Sequence, residues 1–323
     1  EAWFALLATY FAAERVDMAV IEVGAGGRFD LTNVVHPVVS VITSVGLDHM
    51  DTLGPTIRDI AWHKAGIIKP GAPVVTPVRD PEALGPILDE ARLTGSEVIH
   101  VVSTEQAPSP GMASAFQHVN AATAVATIRA LIRQGYAVPE PAIADGLASA
   151  RLPGRLETVQ DAPKVILDGA HNAQKAEALA TALPAVLSGT SQVILVLGVL
   201  ESKDNQAILA PLLPLATELI LTRPRVLAKP ARDPRSLAEA ARQAGFAGPM
   251  TVVDEPGEAI AVALERVSAP ASATLLVTGS LYLVGNVRAR WYPDEEIVLQ
   301  RTPWPRCSSQ TAPAPAGSAY NSF

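Results

Sequence analysis

Two stretches near the start of the chain combine acidic, imidazole and glycine residues in a way that suits metal and phosphate chemistry. In Glu22-Val23-Gly24-Ala25-Gly26-Gly27-Arg28 the glycines let the backbone approach a ligand closely, and Glu22 supplies a carboxylate. A dinucleotide fingerprint would need a sixth-position glycine, where Phe29 stands. In Thr43-Ser44-Val45-Gly46-Leu47-Asp48-His49-Met50-Asp51, an imidazole and two carboxylates crowd one loop, as a metal or a metal-bound phosphate requires. Lys64 shares a helical face with Ile57, Ile60 and Ala61. Such a lysine either snorkels to water or is held near neutral by burial. A neutral amine reacts with carbon dioxide to give a carbamate, which turns a cation into a carboxylate-like metal ligand.

Two later motifs are Pro153-Gly154-Arg155-Leu156-Glu157 and Leu167-Asp168-Gly169-Ala170-His171-Asn172. The second ends a strand pattern and opens a helix, whose first N–H groups favour anions. Each residue also has an ordinary reading. Glu22 could be solvated on a glycine turn, His49 a satisfied histidine, Arg155 a surface ion-pair partner and Asp168 a residue that starts a helix. Their joint position after strands, where ligands bind in open α/β sheets, favours chemistry.

The elements that must hold these residues alternate. Strands are expected at 17–23, 38–43, 73–76, 97–102, 164–168, 192–198, 218–222, 250–253 and 274–279. Apolar residues recur at helical spacing in 55–65, 81–94, 119–134, 143–150, 172–187, 205–213, 233–244 and 257–267. That alternation predicts an α/β protein with parallel, helix-covered sheets. Gly, Pro and Glu cluster at 135–141, which puts a boundary at about 138. After Arg290 periodicity stops, and 292–323 reads as a disordered tail. Residues 2–13 read as a helix already under way behind Glu1, so an upstream portion is expected.

With 323 residues the chain is long enough for about two domains. The net charge is −7, from 25 basic and 32 acidic residues without a basic run, which disfavours nucleic acid as a partner. The longest aliphatic stretch, 193–200, falls short of the ~20 residues of a membrane span. No basic segment precedes the first apolar stretch, so a signal peptide is not expected. The single cysteine, Cys307, allows no intrachain disulfide and fits a reducing cytoplasm.

Five segments carry a resemblance to a known family: EVGAGGRFDLTN (22–33), GLDHMDTLG (46–54), IAWHKAGIIKP (60–70), PGRLE (153–157) and LDGAHN (167–172). In their order and spacing they resemble the folylpolyglutamate synthase and dihydrofolate synthase family of the Mur ligase superfamily. The likeness runs from Glu1 to about Arg290. It implies a Mur-ligase-like central nucleotide-binding domain, N-terminally truncated (1–138), and a C-terminal Rossmann-like α/β domain that serves as the glutamate-ligase domain (139–291). It also implies ATP-driven amide synthesis. A folate or dihydropteroate carboxylate takes the γ-phosphoryl of ATP, and the amino group of L-glutamate attacks the acyl phosphate. Family members hold two magnesium ions in the cleft between the domains.

By resemblance Glu22, His49 and Lys64 are metal ligands, with Lys64 at the position of a carbamylated lysine and counted among the catalytic groups. Asn120 matches the asparagine that contacts the nucleotide. Arg155, Asp168 and His171 match residues that reach ATP, Asp168 and His171 also serving catalysis. Three departures stand out. No Gly-Lys pair occurs, so the P-loop pattern G-x-x-x-x-G-K-[ST] is not among these residues; in the family it lies upstream. His63 stands where glutamate is usual, and Glu201-Ser202-Lys203-Asp204 replaces an Asp-Lys-Asp stretch. The expected protein is a cytoplasmic monomer acting on small molecules. The alternatives are a Mur-type peptidoglycan-precursor ligase, and an inactive homologue without a P-loop that binds nucleotide or folate.

Overall fold

The computed structural model describes residues 2–104, 107–108, 115–187, 189–267 and 273–306. It divides into two compact units, Glu1–Ala150 and Arg151–Phe323.

The first unit holds α1 (Ala2–Glu14), β1 (Ser40–Val41), α2 (Met50–Leu53), α3 (Ile57–Ala65), β2 (Val74–Thr76), α4 (Pro81–Thr94), β3 (Val98–His100), α5 (Ala115–Arg133) and α6 (Glu140–Ser149). Its strands pair in parallel in the order β1-β2-β3. Thr56 and Asp59 close a reciprocal capping box at the start of α3. Asp80 caps α4, Pro81 fills its first turn, and left-handed Gly95 ends it. Ala61, Ala65, Ile68, Val74, Ile87 and Ala91 pack into the core between these elements.

The second unit holds β4 (Glu157–Asp161), β5 (Lys164–Leu167), α7 (Ala173–Val186), β6 (Gln192–Leu197), α8 (Asn205–Leu212), β7 (Glu218–Leu221), α9 (Pro234–Gln243), β8 (Met250–Val252), α10 (Pro256–Val267), β9 (Ala273–Thr278), α11 (Leu281–Arg288) and α12 (Asp294–Gln300). The six strands run in the order β4-β5-β9-β6-β7-β8, parallel except for the antiparallel edge strand β4. On β6, Val193, Leu195 and Leu197 face one apolar cluster with residues of α7, α8 and α9, while Ile194 and Val196 face another with residues of α10 and α11. Both faces are covered, which is why these strands read as unbroken apolar runs.

Three expectations need correction. Residues 17–23 form no strand: a strand exists through its ladder, none of the described strands lies beside this segment, and Val20 is 94% exposed. The boundary lies at 150/151 rather than 138, because α6 packs against α5 and belongs to the first unit. Residues 292–306 are ordered. The Arg288 guanidinium lies 4.4 Å over the Tyr292 ring, α12 follows, and the Trp304 indole N–H donates to Glu157. The rest of the expected tail, with Cys307, lies outside the described residues. No described helix is long and apolar enough to cross a membrane.

Candidate functional site

The glycine turn of the first unit is fitted to the C-terminal end of α3. Gly27 has φ +154°, and a Cβ there would lie 2.9 Å from the His63 carbonyl oxygen, so only glycine lets the two backbones meet. The Arg28 N–H donates to that same oxygen at 2.7 Å. The Arg28 guanidinium donates to the Trp62 carbonyl, covers the Trp62 ring at 4.1 Å and pairs with Glu90 on α4. Asn33 Nδ2 donates to the carbonyls of Arg28 (2.9 Å) and Gly66 (3.1 Å). The motif therefore satisfies carbonyls that a helix end leaves without partners. Asp30 accepts from Thr32 and Ala25; partial burial opposes ionisation, yet these hydrogen bonds hold its carboxyl below the ordinary range.

Lys64 sits in the last turn of α3, half-buried beside that apolar stripe. Burial pushes its ammonium below the ordinary range, with the negative charge of Asp48 opposing. His49 is exposed, takes a left-handed conformation (φ 54°) at the start of α2, and donates its backbone N–H to Asp48 Oδ1 at 3.0 Å. Glu22 is exposed on the segment before the glycine turn, not at a strand tip. Among the described residues no three His, Cys, Asp or Glu side chains converge as a metal site would. Asn120 is exposed on α5 and donates to Gln117 Oε1 at 3.0 Å.

In the second unit the structure brings Arg155, Asp168 and His171 together. Asp168 follows β5 and is 6% exposed. One of its oxygens accepts from Leu156 N (2.9 Å), the other from Ala170 N (2.8 Å). Burial raises its carboxyl above the ordinary value of 3.8, opposed by those two hydrogen bonds and by the Arg155 and Lys175 cations. The turn bearing Arg155 is stitched to the same loop, with Gly169 N donating to the Gly154 carbonyl at 2.8 Å. His171 Nδ1 donates to the Gly169 carbonyl (2.8 Å), leaving Nε2 to accept from Lys175 Nζ (3.0 Å). Asn172 caps α7 by accepting from Lys175 N, so the first turn of the helix opens onto the loop. This arrangement offers an anion a guanidinium and a helix N-terminus.

Sequence reasoning passed over Lys175, which lies in the first turn of α7 and donates to His171, two residues before that helix begins. The ion pairs Arg28–Glu90 and Arg288–Glu157 left no local signal, since their members lie 62 and 131 residues apart.

The family model for the Mur ligase glutamate ligase domain matches residues 154–281, from the Arg155 turn through the Asp168 loop to the start of α11. The folylpolyglutamate synthase of Lacticaseibacillus casei is 36% identical over 304 residues, covering 86% of this chain and 68% of that protein. The chain belongs to the folylpolyglutamate and dihydrofolate synthase family. Solved members share its fold. A Mycobacterium tuberculosis folylpolyglutamate synthase complexed with ADP and AMPPCP superposes with a TM-score of 0.78 at 31% identity, over 88% of this chain and 71% of that one. A bifunctional folylpolyglutamate/dihydrofolate synthase from Yersinia pestis, complexed with AMPPNP and a manganese ion, gives 0.72 at 28% identity, over 87% and 68%.

Proposed function

We propose that the protein is an ATP-dependent ligase that joins L-glutamate to the carboxylate of a folate or dihydropteroate. The carboxylate oxygen takes the γ-phosphoryl group of ATP and ADP leaves. The glutamate amine then attacks the acyl carbon, phosphate departs with the C–O bond electrons, and the amine loses a proton. One observation carries the reading: a glycine turn closed over the Lys64 helix and an Asp168–His171 loop occur together in a chain aligned over 304 residues with a folylpolyglutamate synthase.

In this reading the first unit serves ATP binding and the second unit glutamate ligation. Glu22, His49 and a carbamate on Lys64 would hold magnesium, two ions by family resemblance; the lowered ammonium of Lys64 supports carbamate formation. When bound, magnesium neutralises and orients the phosphate and carboxylate anions. Asn120 contacts the nucleotide. Arg155 offers N–H donors to phosphate oxygens. Asp168 fixes the backbone around Arg155 and accepts from the nucleotide, and His171 keeps Nδ1–H on a carbonyl so that the ring is held in one orientation. The same reading includes a cytoplasmic, monomeric protein with small-molecule partners only.

The test is ADP release with Mg-ATP and glutamate, with dihydropteroate and tetrahydrofolate offered separately. Release with either acceptor is expected and names the preferred one. Silence with both, while AMPPCP still binds, would replace the ligase reading with that of a nucleotide-binding homologue.

A further inference from the structure

The turn that carries Arg155 is held by residues remote in sequence. Glu157, which ends it, is 9% exposed, and Arg288 on α11 is 8% exposed. Glu157 Oε1 accepts from Arg288 Nη2 (2.8 Å) and from Trp304 Nε1 (2.8 Å); Oε2 accepts from Arg288 Nε (2.9 Å) and from the Gly154 backbone N–H (2.8 Å). Arg288 Nη2 also donates to the Pro303 carbonyl at 2.6 Å. One buried carboxylate thus ties α11 and segment 302–304 to the first residue of the Arg155 turn.

The turn needs such fastening. Leu156 has φ 45°, a left-handed conformation that disfavours a branched side chain and persists only where its surroundings over-determine it. Two attachments flank it, Gly154 on Glu157 and the Leu156 N–H on Asp168. A buried ion pair adds little net stability over apolar packing of the same volume, so its geometry points to a positional role.

We propose that the buried pair Glu157 and Arg288, together with the partly buried Trp304, forms a clamp that positions Arg155 and the Asp168 carboxylate toward the nucleotide, with Trp304 as its removable member. All three are positioning residues, and the proposal rests on the nucleotide role of Arg155 and Asp168 argued above.

The test uses the full chain and Trp304→Phe, which keeps an aromatic ring and removes the N–H donor. Amide hydrogen exchange at Gly154, Leu156 and Ala170 should accelerate about tenfold, while the amides of β6 keep wild-type rates. Unchanged rates at those three amides would overturn the clamp. Equal acceleration in β6 would reduce it to general structural support and overturn the positioning role. In a second arm, calorimetric titration with Mg-AMPPCP should show about fivefold weaker binding for Trp304→Phe, and wild-type affinity in the variant would overturn the proposal. Should the wild-type chain bind no AMPPCP, the nucleotide reading of Arg155 and Asp168, and with it the functional half of the clamp, fails; the exchange arm still decides whether the clamp sets the turn.

Discussion

The two motif regions differ in what holds them. The Asp168 loop leaves β5, which has a neighbour on each side in a six-stranded sheet covered on both faces. Both carboxylate oxygens of Asp168 accept backbone N–H groups, and the adjoining turn is fastened at Gly154 and Leu156. The glycine turn of the first unit follows a segment that no ladder joins to the described strands; its backbone is fastened to the end of α3, and the Arg28 side chain reaches Glu90 on α4. Its metal-ligand candidates Glu22 and His49 are exposed; only Lys64 is drawn into the protein. A motif supplies residue types, but the number of independent backbone attachments decides how far their geometry is set beforehand.

The largest effect should come from Lys64, the half-buried candidate of the first region. Lys64→Ala is expected to lower ligation about 100-fold in the ADP-release assay, the size of loss typical when support of a metal site is removed. A short carboxylate added to the variant should restore part of it. Full activity without added carboxylate would break the contrast, because nothing in the first region would then depend on Lys64.

Next comes the tightly held region. Glu157→Ala leaves the Arg288 guanidinium buried and unpaired and should cost about 3–5 kcal/mol in urea unfolding of the second unit. A loss below about 1 kcal/mol would mean that the pair behaves like a surface contact and that the attachments are not what sets this loop apart.

A smaller effect follows from protonation. Burial raises the Asp168 carboxyl above 3.8. A group whose folded pKa is raised adds stability that is complete below its unfolded value and is lost as pH rises through its folded value. The stability of wild type relative to Asp168→Asn should therefore be greatest below about pH 3.8 and decline toward neutrality. Urea midpoints of both proteins across that range measure it, and a difference that grows with pH would contradict the assignment. The smallest effect belongs to Arg92, whose pair with Asp89 is exposed (75% and 53%); Arg92→Ala should change stability by less than about 0.5 kcal/mol in the same titration.

Much of the second unit was legible beforehand. Residues 193–197 and 219–221 are apolar at every position because both faces of these strands are buried, and helices such as α8 carry their own cap, here Asp204. Edge strand β4 was missed: it alternates only partly, with Thr158 exposed between buried Glu157 and Val159, and its partner supplies the order that its sequence does not. Segment 17–23 shows the opposite failure. Val20, Ile21 and Val23 read as a strand, yet among the described residues no strand pairs with them. Beyond Arg290 low periodicity suggested disorder, because two tryptophans and an arginine that act through long-range hydrogen bonds leave no period.

For the site, sequence by itself determined the residue types and their family: a glycine turn with Glu22, a lysine on an apolar helical face, and an Asp168–His171 loop between a strand and a helix. Local rules reach that far because capping, periodicity and glycine conformations depend on neighbours in the chain. Only the tertiary structure decided that Lys64 is buried beside Asp48, that Gly27 meets the backbone of His63, and that Glu157 is clamped by Arg288 and Trp304. Burial and hydrogen bonding across more than a hundred residues are set by how layers pack, and local sequence carries no measure of that distance.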